Sequence, residues 1–423
     1  MRTILIRPND KLRQYGNLKK LSAIEPPIWL ALLARNYGDV QILDAEVEGL
    51  SIHETVLKVQ ELKAEHCVIL ATGSHPSAHI QQTDIANNLK SMLEKIAKIP
   101  TEVYNYLPFD PTTMGNPMWH LLPMKKYRCH NWHGWGQKKK NYGAVFSSIS
   151  CPFTCEFCCV KDFYKCNYKR RDPIAVVTNI LHLYEQYGVT NFKMMDEMFV
   201  IEHKNTHSIL DGLINSGIGD KINIWAYARI DTVNPTLLEK LHKAGVKWLA
   251  YGIETGSEKI RQSVLKGKFT NKNVESAIQM TKDYGINVVG NYMFGFWEDD
   301  MDTLQETYDF AEKLNCEYSN FYCLVAYPGS ELHNKMASLG VCLPTSSSQY
   351  AQLSPNFKPL PTGTLTGQEV LKFRDEAFVK YHTSTRYLTM MKKKFDKKAI
   401  SDIMAMTSTP LNRVVGGKNN RRS

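Results

Sequence analysis

Residues 150–159 read SCPFTCEFCC and bring together four of the ten cysteines of the chain. Three of them, Cys151, Cys155 and Cys158, have the spacing C-x3-C-x2-C and follow an apolar stretch at 144–150 that is typical of a strand. Three thiolates on one short loop can hold an iron–sulfur cluster. Because a cubane cluster usually takes four protein ligands, a loop with three cysteines leaves one iron open for chemistry.

The segment that carries this loop alternates strand-like and helical patterns. Six candidate strands lie at 144–150, 191–199, 223–229, 248–254, 287–295 and 320–328, with helical segments between them. Six successive β/α units predict a parallel sheet curved into a partial barrel over residues 143–330, since a full eight-unit barrel takes about 250 residues. Active sites of such barrels lie at the carboxyl ends of the strands, where the cysteine loop is expected.

The first 99 residues predict a smaller α/β domain with a Rossmann-like parallel sheet. Candidate strands at 3–7, 40–43 and 67–71 alternate with helical patterns near 27–36, 53–65 and 80–96. Ligands of such sheets bind beyond the carboxyl ends of the strands. Residues 100–142 lack periodicity and are interpreted as a linker, and residues 331–423 as a C-terminal extension that is helical with a basic end.

Composition and charge narrow the class of protein. The 423 residues are 43% hydrophobic and 22% charged, as in ordinary globular proteins, and no apolar run approaches the ~20 residues of a transmembrane helix. We therefore expect a cytoplasmic protein whose cysteines are free, catalytic or metal-bound. Residues 392–423 contain nine basic and two acidic residues, so this tail carries most of the net charge of +10 and the rest of the chain is nearly balanced. A nucleic-acid partner is therefore an unfavoured interpretation.

The pattern C-x3-C-x-F-C, formed by Cys151, Cys155, Phe157 and Cys158, resembles the signature of the radical S-adenosylmethionine (radical SAM) enzymes. The resemblance implies a [4Fe-4S] cluster on the three cysteines, with S-adenosylmethionine bound to the fourth iron through its amino and carboxylate groups. It implies that an electron donor such as flavodoxin or ferredoxin reduces the cluster. The sulfonium is then cleaved to a 5′-deoxyadenosyl radical that abstracts hydrogen from the substrate.

Other segments fit the same family in the same order. MMDEMF at 194–199 resembles its second-strand segment, so that Glu197 is a candidate cofactor-binding residue or an exposed carboxylate, with Asp196 on the opposite face. YGIETGSE at 251–258 resembles the segment whose glutamate, here Glu254, helps to hold the methionine amino group. Arg229 is a candidate for the methionine carboxylate or the ribose, or a structural ion-pair partner, and Asn291 is a candidate to face the cofactor. AYPGS at 326–330 resembles a turn near the adenine.

EPPIWLALLA at 25–34 resembles the opening of the vitamin B12-binding domain that precedes the radical domain in one large class, and WHLLPMKKY at 119–127 resembles the joint between the two. Three strands are evident where a complete B12-binding domain has five, and TGSHP at 72–76 is the one candidate for a corrin-facing turn. The domain therefore either binds cobalamin or keeps only the fold. No Asp-x-His-x-x-Gly motif occurs, so His75, His130 and His133 are not assigned as cobalt ligands.

The leading interpretation is a two-domain radical SAM enzyme that abstracts hydrogen from a small metabolite or biosynthetic intermediate. If cobalamin binds, we expect C-methylation; without it, the radical is expected to drive rearrangement, cyclisation, dehydrogenation or sulfur insertion. The alternative of another class is a non-catalytic scaffold protein stabilised by zinc or an inert cluster. Its zinc would bind Cys151, Cys155, Cys158 and a fourth ligand from among Cys159, Cys166, His130 and His133. The aromatic residues Trp119, Tyr127, Trp132 and Trp135 either line the substrate site or pack between domains.

Overall fold

The structure is a computed structural model that describes residues 1–11, 15–73, 78, 80–137, 141–264 and 269–413. Its N-terminal sheet has parallel strands in the order β2-β1-β3-β4, with bounds β1 Thr3–Arg7, β2 Val40–Asp44, β3 His66–Leu70 and β4 Thr101–Tyr104. The two central strands are almost fully buried apolar runs, as expected for a parallel sheet with helices on its faces. The helices of this domain are Ile28–Leu33, Ala45–Glu48, Ile52–Glu61 and Thr83–Met92.

The fourth strand lies where the sequence predicts a linker. Residues of β4 pair with β3 from Cys67 opposite Thr101 to Leu70 opposite Tyr104, so the sheet extends beyond residue 99. The prediction missed it because a four-residue edge strand, with Glu102 exposed to solvent, is too short to show a pattern. The candidate turn at 72–76 falls mostly outside the described residues, and so does His75.

The second sheet has six parallel strands in the order β12-β11-β10-β9-β8-β5. The strands are β5 Tyr142–Val145, β8 Asn191–Met194, β9 Asn223–Ala228, β10 Val246–Glu254, β11 Asn287–Phe294 and β12 Tyr318–Cys323. A short antiparallel ribbon, β6 Ser148–Ile149 with β7 Lys169–Arg170, follows the first strand. Each strand of the six pairs with its neighbour in chain order, which confirms the predicted partial barrel.

Helices connect these strands on the outside of the barrel. They are Val160–Tyr164, Pro173–Tyr187, Lys204–Asn215, Pro235–Lys243, Glu258–Ser263, Asn271–Asp283, Met301–Leu314 and Glu331–Ser338. Several begin at side chains that accept a hydrogen bond from the first turn, among them Asp172, Asn234 and Asp300. No helix in the described part of the chain is long and apolar enough to cross a membrane.

The segment between the domains closes the amino-terminal end of the barrel. The Trp132 ring lies 5.4 Å from Trp225, 5.2 Å from Trp248 and 5.6 Å from Tyr318. Trp119 donates a hydrogen bond from Nε1 to Asn179, 2.8 Å away. Trp119 and Trp132 therefore pack the interdomain joint, which is one of the two roles that the sequence left open, and Trp132 also lines a cavity between the domains.

Three helices, Gly367–Thr383, Thr385–Lys394 and Lys397–Ser408, follow the barrel. The first covers the edge strand β12, where Arg374 donates from Nε to the Phe321 carbonyl at 2.7 Å. The sequence predicts helical stretches at 367–381 and 400–406, which the structure contains, and a helix over 373–387, which it does not: Ser384 has extended backbone and caps the next helix through Tyr387 N. Part of the basic tail is folded onto the body, since Lys394 contacts the buried carboxylate of Glu317 at 2.7 Å.

Candidate active site

The cysteine loop lies just after the first barrel strand, and backbone hydrogen bonds at its central residue, Glu156, hold it in place. Glu156 N donates to the Val264 carbonyl at 3.3 Å, and the Glu156 carbonyl accepts from Leu332 N at 3.0 Å. These bonds tie the loop to the helices that follow the fourth and sixth barrel strands. A turn closed by Cys158 N and the Cys155 carbonyl, 3.1 Å apart, sets the spacing of the last two thiols.

The four thiols of the loop differ in exposure. Cys151 and Cys155 are partly exposed and Cys158 is exposed, whereas Cys159 is buried. Burial raises the pKa of both Cys158 and Cys159, so the exposure of the residues, and not the acidity of their thiols, separates the two. The three cysteines of the signature are thus at least partly exposed, whereas Cys159 belongs to the core.

Among the described residues, no three His, Cys, Asp or Glu side chains are arranged to hold one metal ion. A single zinc ion requires its ligands to converge on one point, at about 2.0–2.3 Å. The thiolates of a cubane cluster bind different irons and do not need to converge in this way. The donor set, three accessible thiols on one anchored loop, fits a cluster.

Phe157 faces inward from the loop. Its ring lies 6.2 Å from Phe296 in an edge-to-face contact, within a buried apolar cluster that includes Ile260 and Leu332. The backbone N–H groups of Gly295 and Phe296 both donate to Asp299 Oδ2 at 2.9 Å. Asp299 therefore fixes the loop that presents Phe296 to the cysteine loop.

The segments at 326–330 and 160–164 touch behind the cysteine loop. Gly329 has a φ of +87°, and a Cβ atom built there would lie 2.4 Å from Asp162 Cγ, on the helix after the cysteines. Ser330 caps the following helix by accepting from His333 N at 3.1 Å. Glycine is thus required at this turn for both conformation and space.

Arg229 contacts the cysteine loop. Its guanidinium lies 3.8 Å above the Phe153 ring, and Nε and Nη2 donate to Asp231 at 2.9 Å each. The structure therefore shows the ion pair that sequence reasoning considered. Nη1 makes no hydrogen bond to the part of the chain that the structure describes.

Glu254 ends β10 in a left-handed conformation, with a φ of +68°, and its side chain is buried. It is followed by Gly256, where a Cβ atom would lie 2.7 Å from the Glu306 carbonyl oxygen. The strand end is therefore held tightly against the helix Met301–Leu314. The family role predicted for Glu254 stays a prediction.

Asp196 and Glu197 lie beyond the end of β8, not on opposite faces of a strand. Asp196 is buried and accepts from Ser147 N at 2.9 Å and from Ser148 Oγ at 2.6 Å. These bonds turn the chain at residues 146–147, so the predicted strand 144–150 is split into β5 and β6. Glu197 is partly exposed.

A cavity of about 620 Å³ lies between the N-terminal sheet and the interior of the barrel. Arg7, Glu46 and Gly73 line it from the first domain, and Tyr227 and Asn291 from the barrel. Of the predicted cofactor-binding residues, Asn291 lines this cavity. Phe157 belongs to the cysteine loop, and Arg229 contacts that loop through Phe153. His130 also lines it, whereas His133 is a buried core group whose pKa is lowered to about 3 by burial.

Sequence reasoning missed the ion pair of Lys193 and Glu25. Lys193 Nζ lies 2.9 and 3.1 Å from the two carboxylate oxygens of Glu25, and both residues are buried and line the cavity. Glu25 also accepts from the Tyr142 hydroxyl at 3.1 Å. The one available signal was a lysine inside the otherwise apolar run of β8.

Known proteins resemble this chain in sequence family and in fold. Residues 145–311 match the family described as the Radical SAM superfamily. An uncharacterized methyltransferase of Pyrococcus horikoshii is 23% identical over 64% of this chain, which spans 56% of that protein. The cobalamin-dependent S-adenosylmethionine radical enzyme OxsB has a TM-score of 0.65 at 12% identity, covering 96% of this chain and 70% of that one.

The radical S-adenosylmethionine methyltransferase TsrM of Kitasatospora setae, solved with tryptophan substrate and an S-adenosylmethionine analog, has a TM-score of 0.60 at 12% identity. The alignment covers 90% of this chain and 88% of that one. These likenesses bear out the fold expected from the sequence. The chain carries a radical SAM domain at residues 145–311 and has the fold of the radical SAM class that begins with a B12-binding-like domain.

Proposed function

We propose that the chain is a radical SAM enzyme that functionalises a C–H bond of a small molecule, with C-methylation as its outcome. The observation that carries this proposal is the anchored loop, on which Cys151, Cys155 and Cys158 are accessible while Cys159 is buried. In this proposal the three accessible thiols hold a [4Fe-4S] cluster. With S-adenosylmethionine bound, the cluster supplies one-electron cleavage of the sulfonium and a 5′-deoxyadenosyl radical.

The residues around the loop suit S-adenosylmethionine. Arg229 contacts the loop and has Nη1 available for a carboxylate, which is the partner that a guanidinium binds best. Glu254, at the end of β10, is proposed to bind the methionine ammonium, which needs a carboxylate. Phe157 orders the loop through Phe296, and Glu197 remains a candidate cofactor-binding residue.

We propose that cobalamin occupies the cavity between the domains and supplies the methyl group. The carboxyl ends of the N-terminal strands, where ligands of such sheets bind, face this cavity through Arg7 and Glu46. Its volume of about 620 Å³ and its mixed aromatic and amide lining suit a large amphipathic ring. The sequence contains no Asp-x-His-x-x-Gly motif, so no histidine is proposed as a cobalt ligand.

The enzyme also needs a substrate, an electron donor and a cellular location that keeps its cysteines reduced. The substrate is proposed to be a metabolite or biosynthetic intermediate, and the electron donor a flavodoxin or ferredoxin. None of the ten cysteines, all of which lie in the described residues, forms a disulfide, which fits a reducing compartment, so we propose a cytoplasmic location. A nucleic-acid substrate is disfavoured because most of the positive charge lies in the C-terminal tail.

Anaerobic reconstitution of the full chain with iron and sulfide tests the cluster. We expect about four irons per chain and an electron paramagnetic resonance spectrum of the reduced protein that changes when S-adenosylmethionine is added. A spectrum that S-adenosylmethionine leaves unchanged, or stoichiometric zinc in place of iron, would favour the scaffold alternative.

Corrin absorbance that persists through gel filtration after incubation with hydroxocobalamin tests the second cofactor. Its absence would leave a cobalamin-independent radical enzyme.

A further inference from the structure

Two side-chain amides on β11 and β12 form a relay with a fixed direction. Asn291 Nδ2 lies 3.1 Å from the Tyr251 backbone carbonyl, and Asn320 Nδ2 lies 2.9 Å from Asn291 Oδ1. A backbone carbonyl can only accept, so Asn291 must direct its NH2 group to Tyr251 and its oxygen to Asn320. Asn320 must then donate to Asn291.

This relay leaves Asn320 Oδ1 as an acceptor at the cavity wall. Asn320 lines the cavity from the barrel side, and its Oδ1 accepts no hydrogen bond from the described residues. Asn291 uses its oxygen and its NH2 group within the protein. Asn291 thus acts as a positioning residue, and Asn320 is the amide that meets a ligand.

A second amide acceptor comes from the N-terminal domain. Gln82, at the start of the helix Thr83–Met92, is 4% exposed and lines the same cavity. Its Oε1 is buried and has no hydrogen-bond partner in the part of the chain that the structure describes. A buried carbonyl oxygen without a donor costs about 1–3 kcal/mol, which a ligand N–H or O–H group would recover.

Charged groups of the cavity are already engaged with one another. Lys193 pairs with Glu25, and Arg7 Nη2 lies 2.8 Å from Glu46 Oε2. Asp375 is bound by Arg413 through both carboxylate oxygens, at 2.9 and 3.1 Å. The cavity therefore favours a ligand that is uncharged at its edge and offers hydrogen-bond donors to both walls.

We infer that Gln82 and Asn320 recognise N–H groups of the peripheral carboxamides of a corrinoid, one from each domain. This inference rests on the cobalamin site of the proposed function and adds the residues that select the corrin edge. A corrin carries primary carboxamides around its rim, so one molecule can present donors to residues of both domains. A substrate N–H group has the same chemistry, and the experiment separates the two sources.

The experiment measures binding of hydroxocobalamin to the reconstituted full chain by its visible absorbance. Asn320→Leu and Gln82→Met keep side-chain size while removing the acceptor, and each is expected to weaken binding about 5- to 10-fold. Asn88→Leu removes an exposed amide from the helix that follows Gln82 and is expected to bind like the wild type. Circular dichroism and iron content check that each variant is folded. Because the two substitutions lie in different domains, one variant still tests the inference if the other does not fold.

Cobalamin derivatives with a single carboxamide hydrolysed to a carboxylate identify the contact. At least one should bind the wild type 5- to 10-fold more weakly than hydroxocobalamin, and that deficit should disappear in Asn320→Leu or Gln82→Met. Wild-type affinity in both variants overturns the inference and assigns the amides to another ligand, such as the substrate. If the wild type binds no hydroxocobalamin, the cobalamin part of the proposed function fails, and the inference fails with it.

Discussion

Gly329 illustrates how a single residue supports the active-site loop. It sits in the turn after β12 with a φ of +87°, against Asp162 on the helix that follows the cysteines. The sequence pattern at 326–330 suggested a turn near the adenine. The structure adds that this turn is a packing contact of the cysteine loop.

Gly329→Ala is expected to lower the free energy of unfolding by about 2–4 kcal/mol, because it combines the cost of a left-handed alanine with overpacking against Asp162. Gly340→Ala is the matched control, since Gly340 has a φ of +71° with nothing within 4 Å of its added Cβ atom. Urea unfolding followed by circular dichroism measures both. Equal losses in the two variants would show that the contact with Asp162 is unimportant.

At the scale of elements, the loop after β11 depends on one buried carboxyl group. Asp299 is 1% exposed and accepts from two backbone N–H groups and from Thr303 Oγ1 at 2.8 Å. Burial nevertheless raises the pKa of Asp299 to about 6. The folded protein therefore holds this proton more tightly than the unfolded chain does.

It follows that Asp299 makes the protein more stable as the pH falls from 7 to 5, by about 1 kcal/mol. In Asp299→Asn this contribution should vanish, so the difference in unfolding free energy between pH 5 and pH 7 should shift by that amount relative to the wild type. Glu239→Gln is the control, since a hydrogen bond from Lys243 lowers the pKa of this exposed carboxyl group and its titration lies below this range. A wild-type pH profile in Asp299→Asn would contradict the assignment.

Most elements could be predicted from the sequence because they are long or strongly patterned. β1 has the predicted bounds, and each of the six barrel strands overlaps its predicted range, although the first shares only residues 144–145 with it. The prediction failed where distant contacts decide local structure. Asp196 breaks the first barrel strand through Ser147 and Ser148, which lie almost fifty residues earlier.

The candidate site divides in the same way. The sequence was sufficient to predict the three cluster cysteines, Cys151, Cys155 and Cys158, because they lie on one loop with a fixed spacing. Lys193 and Glu25 are separated by 168 residues, and only the docking of the two domains brings them together. A contact between residues so far apart cannot be predicted from a single sequence.

At the scale of the whole molecule, this ion pair joins the N-terminal domain to the barrel. Burying two charges is costly, and removing one partner leaves the other uncompensated. Lys193→Met alone should therefore lose about 3–5 kcal/mol of unfolding free energy. The double variant Lys193→Met with Glu25→Leu should recover much of that loss. Urea unfolding of the wild type, both single variants and the double variant measures the coupling, and additive losses would show that the pair does not hold the domains together.

The central claim is that three cysteines, and not the fourth beside them, form the radical-generating site. Release of 5′-deoxyadenosine from S-adenosylmethionine, with dithionite as reductant, tests it in the reconstituted wild type, Cys155→Ala and Cys159→Ala. The account predicts release by the wild type and by Cys159→Ala, and none by Cys155→Ala. Release by Cys155→Ala at the wild-type rate, or none from an iron-loaded wild type, would contradict it.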